Sequence, residues 1–236
     1  MNALQQEIAA LLMNKGASLV GFADMTGLPD LYRHSMRSTL SIAAALDPGI
    51  IRDIVSGPTM QYYEEYRRVN ELLSALCREA VRFLGDHGIG AVAIEPTVKK
   101  VNPESLATSF QHKTAATRAG LGWVGKSDLL ITRKYGAAVR LATVLCDVEF
   151  EPGAPENSSR CGECMECVLF CPAKAITGSH WEAGQDRDVV YNAHECYDMA
   201  KRLSGGIGVQ STICGICIAV CPWTKKFMGA SHNNSV

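Results

Sequence analysis

The chain has 236 residues, 47% of them hydrophobic and 20% charged, with a formal net charge of -1. That is room for one large domain, or one domain plus a small module, around a real core. The near-zero charge gives no global pull toward nucleic acid or an acidic membrane surface, and no apolar run reaches the roughly eighteen residues of a membrane span.

The first apolar stripe is Leu4, Ile8, Leu11 and Leu12, a helix that Gly16 ends. Its start carries Glu7 and no early Lys or Arg, so it reads as a helix and not as an export signal, and a cytoplasmic location is expected. SLVGFAD follows as a strand. Leu40, Ile42, Ala44 and Leu46 alternate up to Pro48-Gly49, which predicts a half-buried strand. Tyr62, Tyr66, Val69, Leu73, Leu76, Ala80 and Leu84 then recur at spacings of three and four. They predict a long amphipathic helix ending near Gly85. AVAIE is a strand, Lys113 to Ala119 an Ala-rich helix, and DLLIT and AVRLATVLCDV are strands. This interleaving predicts an α/β or α+β layered domain over residues 1–152. The polar, Pro-rich EPGAPENSS marks a boundary, and residues 153–236 form a second domain.

Eight of the ten cysteines fall in that second part. Cys161, Cys164, Cys167 and Cys171 are spaced x2, x2, x3 and followed by Pro172, the bacterial ferredoxin pattern. Cys214, Cys217 and Cys221, followed by Pro222, repeat its x2 and x3 steps with one cysteine missing. In a ferredoxin run three thiolates of one tight loop grip one cube, and the fourth leaves on a helical turn toward the neighbouring cluster. Two 4Fe-4S cubes need eight thiolates, the runs supply seven, and Cys196 is the other cysteine of the module. The expected sets are therefore Cys161, Cys164, Cys167, Cys221 and Cys171, Cys196, Cys214, Cys217. Zinc sites usually pair two CxxC knuckles and do not run CxxCxxCxxxCP. Cys77, on the long helix stripe, and Cys146, at a strand end, read as buried apolar fillers.

Residues 120–127, GLGWVGKS, fit the phosphate-cradling pattern G-x-x-x-x-G-K-S and, over six letters, the dinucleotide pattern G-x-G-x-x-G. Both need a strand before the glycines and a helix after them. Here a helical segment runs in and a strand runs out. The reading from the residues is a helix cap at Gly120, a tight turn and a packed Trp123, with glycine backbone open to a close ligand and Lys126 and Ser127 adding polar contacts.

HKTAATRAGLGWVGKSDLLIT, YGAAVRLATVLCD and the two cysteine runs resemble the epoxyqueuosine reductase family, which is related to the reductive dehalogenases. The resemblance implies a nitroreductase-like, cobalamin-binding α/β domain followed by a bacterial-ferredoxin-type double-cluster module. It places Gly120, Gly122, Trp123, Gly125, Lys126 and Ser127 against the corrinoid. Leu106 stands near the position of the family's proton-donating Asp, with Glu104 and His112 the nearest proton carriers; His112 and Lys113 are the catalytic candidates. The chain ends 14 residues after Pro222, without the C-terminal extension of longer members, so a short paralogue with a substrate other than tRNA is expected. Two functions follow. One is a corrinoid-dependent reductase fed by a ferredoxin or flavodoxin. The other is an electron-transfer protein that reduces another protein's corrinoid or metal centre. The acceptor is accordingly a small molecule or a corrinoid protein, with no membrane partner.

Overall fold

The computed structural model describes residues 1–97, 102, 104–108 and 110–232. The chain divides into two compact units. The first comprises Met1–Ala45, Arg68–Leu121 and Arg140–Glu156; the second comprises Leu46–Arg67, Gly122–Val139 and Asn157–Val236. The linker boundary near 152 lies close to the break after Glu156, and the second unit also takes two earlier stretches of the chain.

The first unit is built on a four-stranded sheet of order β1-β2-β6-β3. β1 is Leu19–Asp24, β2 Ser38–Ala45, β3 Ala91–Ile94 and β6 Val139–Cys146. β1 runs antiparallel to β2, with Phe22 opposite Leu40, and β3 runs antiparallel to β6. β2 differs from its alternating pattern: Ser38, Thr39 and Ser41 are as buried as Leu40 and Ile42. Its apolar set and its polar set are both covered, so the strand is buried on both faces.

Helix α1, Ala3–Asn14, starts on a reciprocal cap in which Asn2 and Gln5 serve each other's backbone N–H groups. Its Ile8 and Leu12 are fully buried and it packs against β1. After the short helices α2, Asp30–Arg33, and α3, Pro48–Arg52, comes α4, Met60–Asp86, whose Val69, Leu73, Leu76, Cys77, Ala80 and Leu84 are buried. Helix α5, His112–Arg118, lies on β1 and β2. Its contact face is alanine because the approach is close: a Cβ added at Gly21 would stand 3.1 Å from Ala119 Cβ. Ala115 and Ala119 join Ala23, Met25, Phe110 and Leu145 in one apolar cluster.

The second unit holds a two-stranded ribbon, β4 (Trp123–Val124) against β5 (Leu130–Ile131), with helices α6 (Glu166–Leu169), α7 (Ala193–Gly206), α8 (Ile216–Ala219) and α9 (Pro222–His232). α6 packs on α8, and α3 packs on α8 and α9.

The close α5 contact yields a stability prediction. Ala115→Leu forces three extra carbons into a filled space and should lower stability by about 1–3 kcal/mol, read as a lower urea midpoint with unchanged slope. A midpoint equal to the wild type would show that the helix stands off the sheet.

Candidate metal centre

The two cysteine runs fold alike. Gly162 (φ 54) and Gly215 (φ 86) each follow the first cysteine of a run in the left-handed conformation that side chains resist, and so turn the chain back toward the next cysteine. Cys167 lies on α6 and Cys217 on α8, and the fourth position, Cys171 or Cys221, comes just past the end of each helix. Pro222 then opens α9 as its first residue, where a missing N–H costs nothing. Cys196 comes from α7, whose start is capped by the Asn192 side chain.

All eight of these cysteines are free thiols and half-buried. Burial, joined by Cys161, Cys221 and Cys164, pushes the Cys167 thiol up to about 12. Burial also raises Cys217 well above the ordinary thiol range, with Cys214 first among its neighbours, then Cys196, Cys167 and Cys171. Cys214 is raised by burial and by Cys196 and Cys171, and Cys221 by burial and by Cys161. Cys161, Cys164 and Cys221 thus lie about Cys167, and Cys214, Cys196 and Cys171 lie about Cys217, with Cys167 bordering both groups. Among the described residues no three or more His, Cys, Asp or Glu converge as ligands of a single ion. The donor set, eight soft thiols, fits two iron–sulfur cubes.

N–H groups already point at several sulfurs. Ala175 N–H donates to Cys171 Sγ at 3.4 Å. The Thr224 and Trp223 backbone N–H groups donate to Cys221, and Ile216 N–H donates to Cys214. Tyr191 hydrogen-bonds Cys196.

The chain enters the second unit at Gly122, inside GLGWVGKS. The element order there is helix, turn, strand, the reverse of a phosphate cradle. Gly120 (φ 73) caps α5 and is exposed. Gly122, Trp123, Gly125, Lys126 and Ser127 are all buried. A Cβ at Gly122 would strike the Ile131 carbonyl, and one at Gly125 would stand 2.8 Å from Ile131 Cγ1 and 3.3 Å from Cys161 Sγ. Trp123 is fully buried, edge-on to Trp223 at 5.0 Å. These five residues are packed by the chain's own atoms, so they do not fit direct contact with a corrinoid.

His112 begins α5. Its Nε2 lies 3.0 Å from the Glu95 carbonyl and its Nδ1 2.9 Å from Thr143 Oγ1. The carbonyl can only accept, so Nε2 carries the proton and Nδ1 accepts from the threonine. Burial drives the pKa down to about 4, against the raising effect of the Glu95 bond. His112 is therefore neutral at pH 7 and engaged at both nitrogens, tying α5 to β6. Lys113 follows it, half-buried. Leu106 takes φ 48 in a turn closed by its N–H on the Asn102 carbonyl, with Glu104 exposed beside it. Burial also pushes Cys77 and Cys146 up to about 12, and both are fully buried within the first unit.

A depressed histidine has a defined pH signature. Above pH 6.5 neither state binds the proton. As pH falls below that value the unfolded chain takes up a proton that the folded chain refuses, and the loss accumulates until about pH 4. On the order of 3 kcal/mol is at stake. His112→Gln, which keeps a donor toward Glu95, should show a flatter fall in urea midpoint from pH 6.5 to 4 than the wild type. Equal slopes would mean that His112 titrates freely.

Comparison with known proteins places this site. Residues 160–224 match the family model of a 4Fe-4S double cluster binding domain. The epoxyqueuosine reductase of Synechocystis sp. is 35% identical over 122 residues, 50% of this chain and 41% of that protein. The matches span about two fifths of the length of such curated relatives. A solved epoxyqueuosine reductase bound to an epoxyqueuosine-modified tRNA-Tyr stem loop superposes with a TM-score of 0.65 at 20% identity, covering 94% of this chain and 65% of that one. A reductive dehalogenase whose structure suggests a mechanism for B12-dependent dehalogenation gives 0.69 at 15% identity, covering 96% and 33%. The chain therefore resembles the epoxyqueuosine reductases over half its length, has a mixed helix-and-sheet fold shared with them and with the reductive dehalogenases, and carries a 4Fe-4S double cluster binding domain.

Proposed function

We propose that the chain is an iron–sulfur oxidoreductase that passes low-potential electrons through two 4Fe-4S clusters to a corrinoid, for the reduction of a substrate. The observation that carries the electron path is the gathering of eight thiols from the two runs, in and around the paired helices α6 and α8, with Cys196 of α7. Bound clusters would supply one-electron transfer. Cys161, Cys164, Cys167 and Cys221 hold one; Cys171, Cys196, Cys214 and Cys217 hold the other. Each thiol gives up its proton on ligation, which is why loading these raised thiols releases acid. The N–H groups aimed at Cys171, Cys214 and Cys221 stabilise negative charge on sulfur. Leu169 and Phe170, 75% and 50% exposed between Cys167 and Cys171, support docking of a ferredoxin or flavodoxin donor beside the ligands.

The corrinoid end of the path, and the nitroreductase-like description of the first unit, rest on the resemblance and on the B12-dependent mechanism of the dehalogenase of like fold. The chemistry assigned to this chain's own residues stops at the clusters. The burial of Gly122 to Ser127 favours the second reading, an electron-transfer protein or reductive activator of another protein's corrinoid or metal centre. Anaerobically reconstituted protein distinguishes the two: stoichiometric corrinoid with a cobalamin spectrum upholds the reductase, and its absence with full iron upholds the activator.

The ligand sets are testable directly. Iron should approach about eight per chain. Cys221→Ala should remove one cluster signal in electron paramagnetic resonance and Cys196→Ala the other. Loss of the same signal in Cys221→Ala and Cys214→Ala would overturn the allocation, and about four irons per chain, or stoichiometric zinc, would overturn the double cluster.

A further inference from the structure

Lys126 is a buried ammonium, 4% exposed. Its Nζ lies 2.9 Å from the Gly162 carbonyl, 3.1 Å from the Cys164 carbonyl and 3.5 Å from Met165 Sδ. Those acceptors use all three of its donors, and all three lie in the loop CGECM that carries Cys161 and Cys164. Among the described residues no carboxylate pairs with it. A buried charge with only dipoles for partners is costly and needs a counter-charge nearby. The thiolates of Cys161, Cys164 and Cys167 are the negative charge this loop is built to hold. Gly125, the residue before the lysine, leaves room against Cys161 Sγ and so lets the lysine's backbone run along the loop.

We propose that Lys126 is a positioning residue for the cluster held by Cys161, Cys164, Cys167 and Cys221: it clamps the ligand loop and its positive charge raises that cluster's reduction potential. Reduction adds one electron, hence one negative charge, and a fixed cation in a low-dielectric site stabilises the reduced form more than the oxidised one.

The inference rests on the two-cluster reading, so iron content is read first: a wild-type chain without about eight irons sinks that reading before any potential is measured. Redox titration of the anaerobically reconstituted full chain, followed by electron paramagnetic resonance, then tests the lysine. Lys126→Gln keeps a donor for the Gly162 carbonyl and removes the charge. It should retain wild-type iron and lower the midpoint of one signal, the one that Cys221→Ala loses, with the other unmoved. Lys126→Arg should restore the wild-type midpoint. Both midpoints unmoved at full iron, or a shift confined to the signal that Cys196→Ala loses, overturns the proposal. Should Lys126→Gln lose iron from the first set, the arginine variant decides: iron kept at the wild-type midpoint upholds the need for charge, and iron lost in both variants overturns it.

Discussion

Eight thiols held close together are stable only in certain charge states, and much of the second unit follows from that constraint. Burial and mutual proximity keep Cys167 and Cys217 protonated far above neutral pH when no metal is bound. Deprotonating several of them together in the absence of a cation would place like charges in a poorly solvated space. The chain offsets this locally. Backbone N–H groups are turned onto Cys171, Cys214 and Cys221, and the left-handed turns at Gly162 and Gly215 turn each run back from its first cysteine toward the next. The α6–α8 contact then sets each run's fourth cysteine beside the other run's thiols. Thiols from separate segments meet at each site, so ligation and folding of this unit are coupled.

The first unit works by a different rule, close packing. α5 can lie flat on β1 because its contact residues are Ala115 and Ala119 and because Gly21 beneath them has no side chain. His112 then fixes the start of that helix to β6 and to the chain after β3. A histidine used this way must stay neutral, and burial ensures it. The residue type that suits acid catalysis near neutral pH is here also a good strut, since one nitrogen can donate while the other accepts.

Spacing was the most legible signal in the sequence. The helix over residues 60–86, the Ala-rich helix, the strand order around GLGWVGKS and the cysteine runs all show as periodicity or fixed intervals, because each depends on neighbours along the chain. Less legible was whatever depends on partners far away in sequence. Thr39 and Ser41 read as the solvent face of β2, yet both faces of the strand are covered. The stretches Leu46–Arg67 and Gly122–Val139 carry no composition that marks them as part of the unit holding the cysteines. The ionic character of the ligand loop was hidden for the same reason, since Lys126 lies 36 residues before Gly162.

GLGWVGKS shows how a motif and its surroundings divide the work of interpretation. The letters alone permit three occupants for the space beside the glycines: a phosphate, a corrinoid or the chain itself. Helix–turn–strand order removes the dipole that a phosphate needs. Burial of Gly122, Trp123, Gly125 and Ser127 fills the space with Ile131, Cys161 and neighbouring protein atoms. What remains of the pattern is the lysine. In a phosphate cradle that residue would meet an anion bound from solution; here its donors are spent on the carbonyls of a ligand loop. The glycine bends thus bring the Lys126 ammonium to the carbonyls of Gly162 and Cys164, in the loop that carries Cys161 and Cys164.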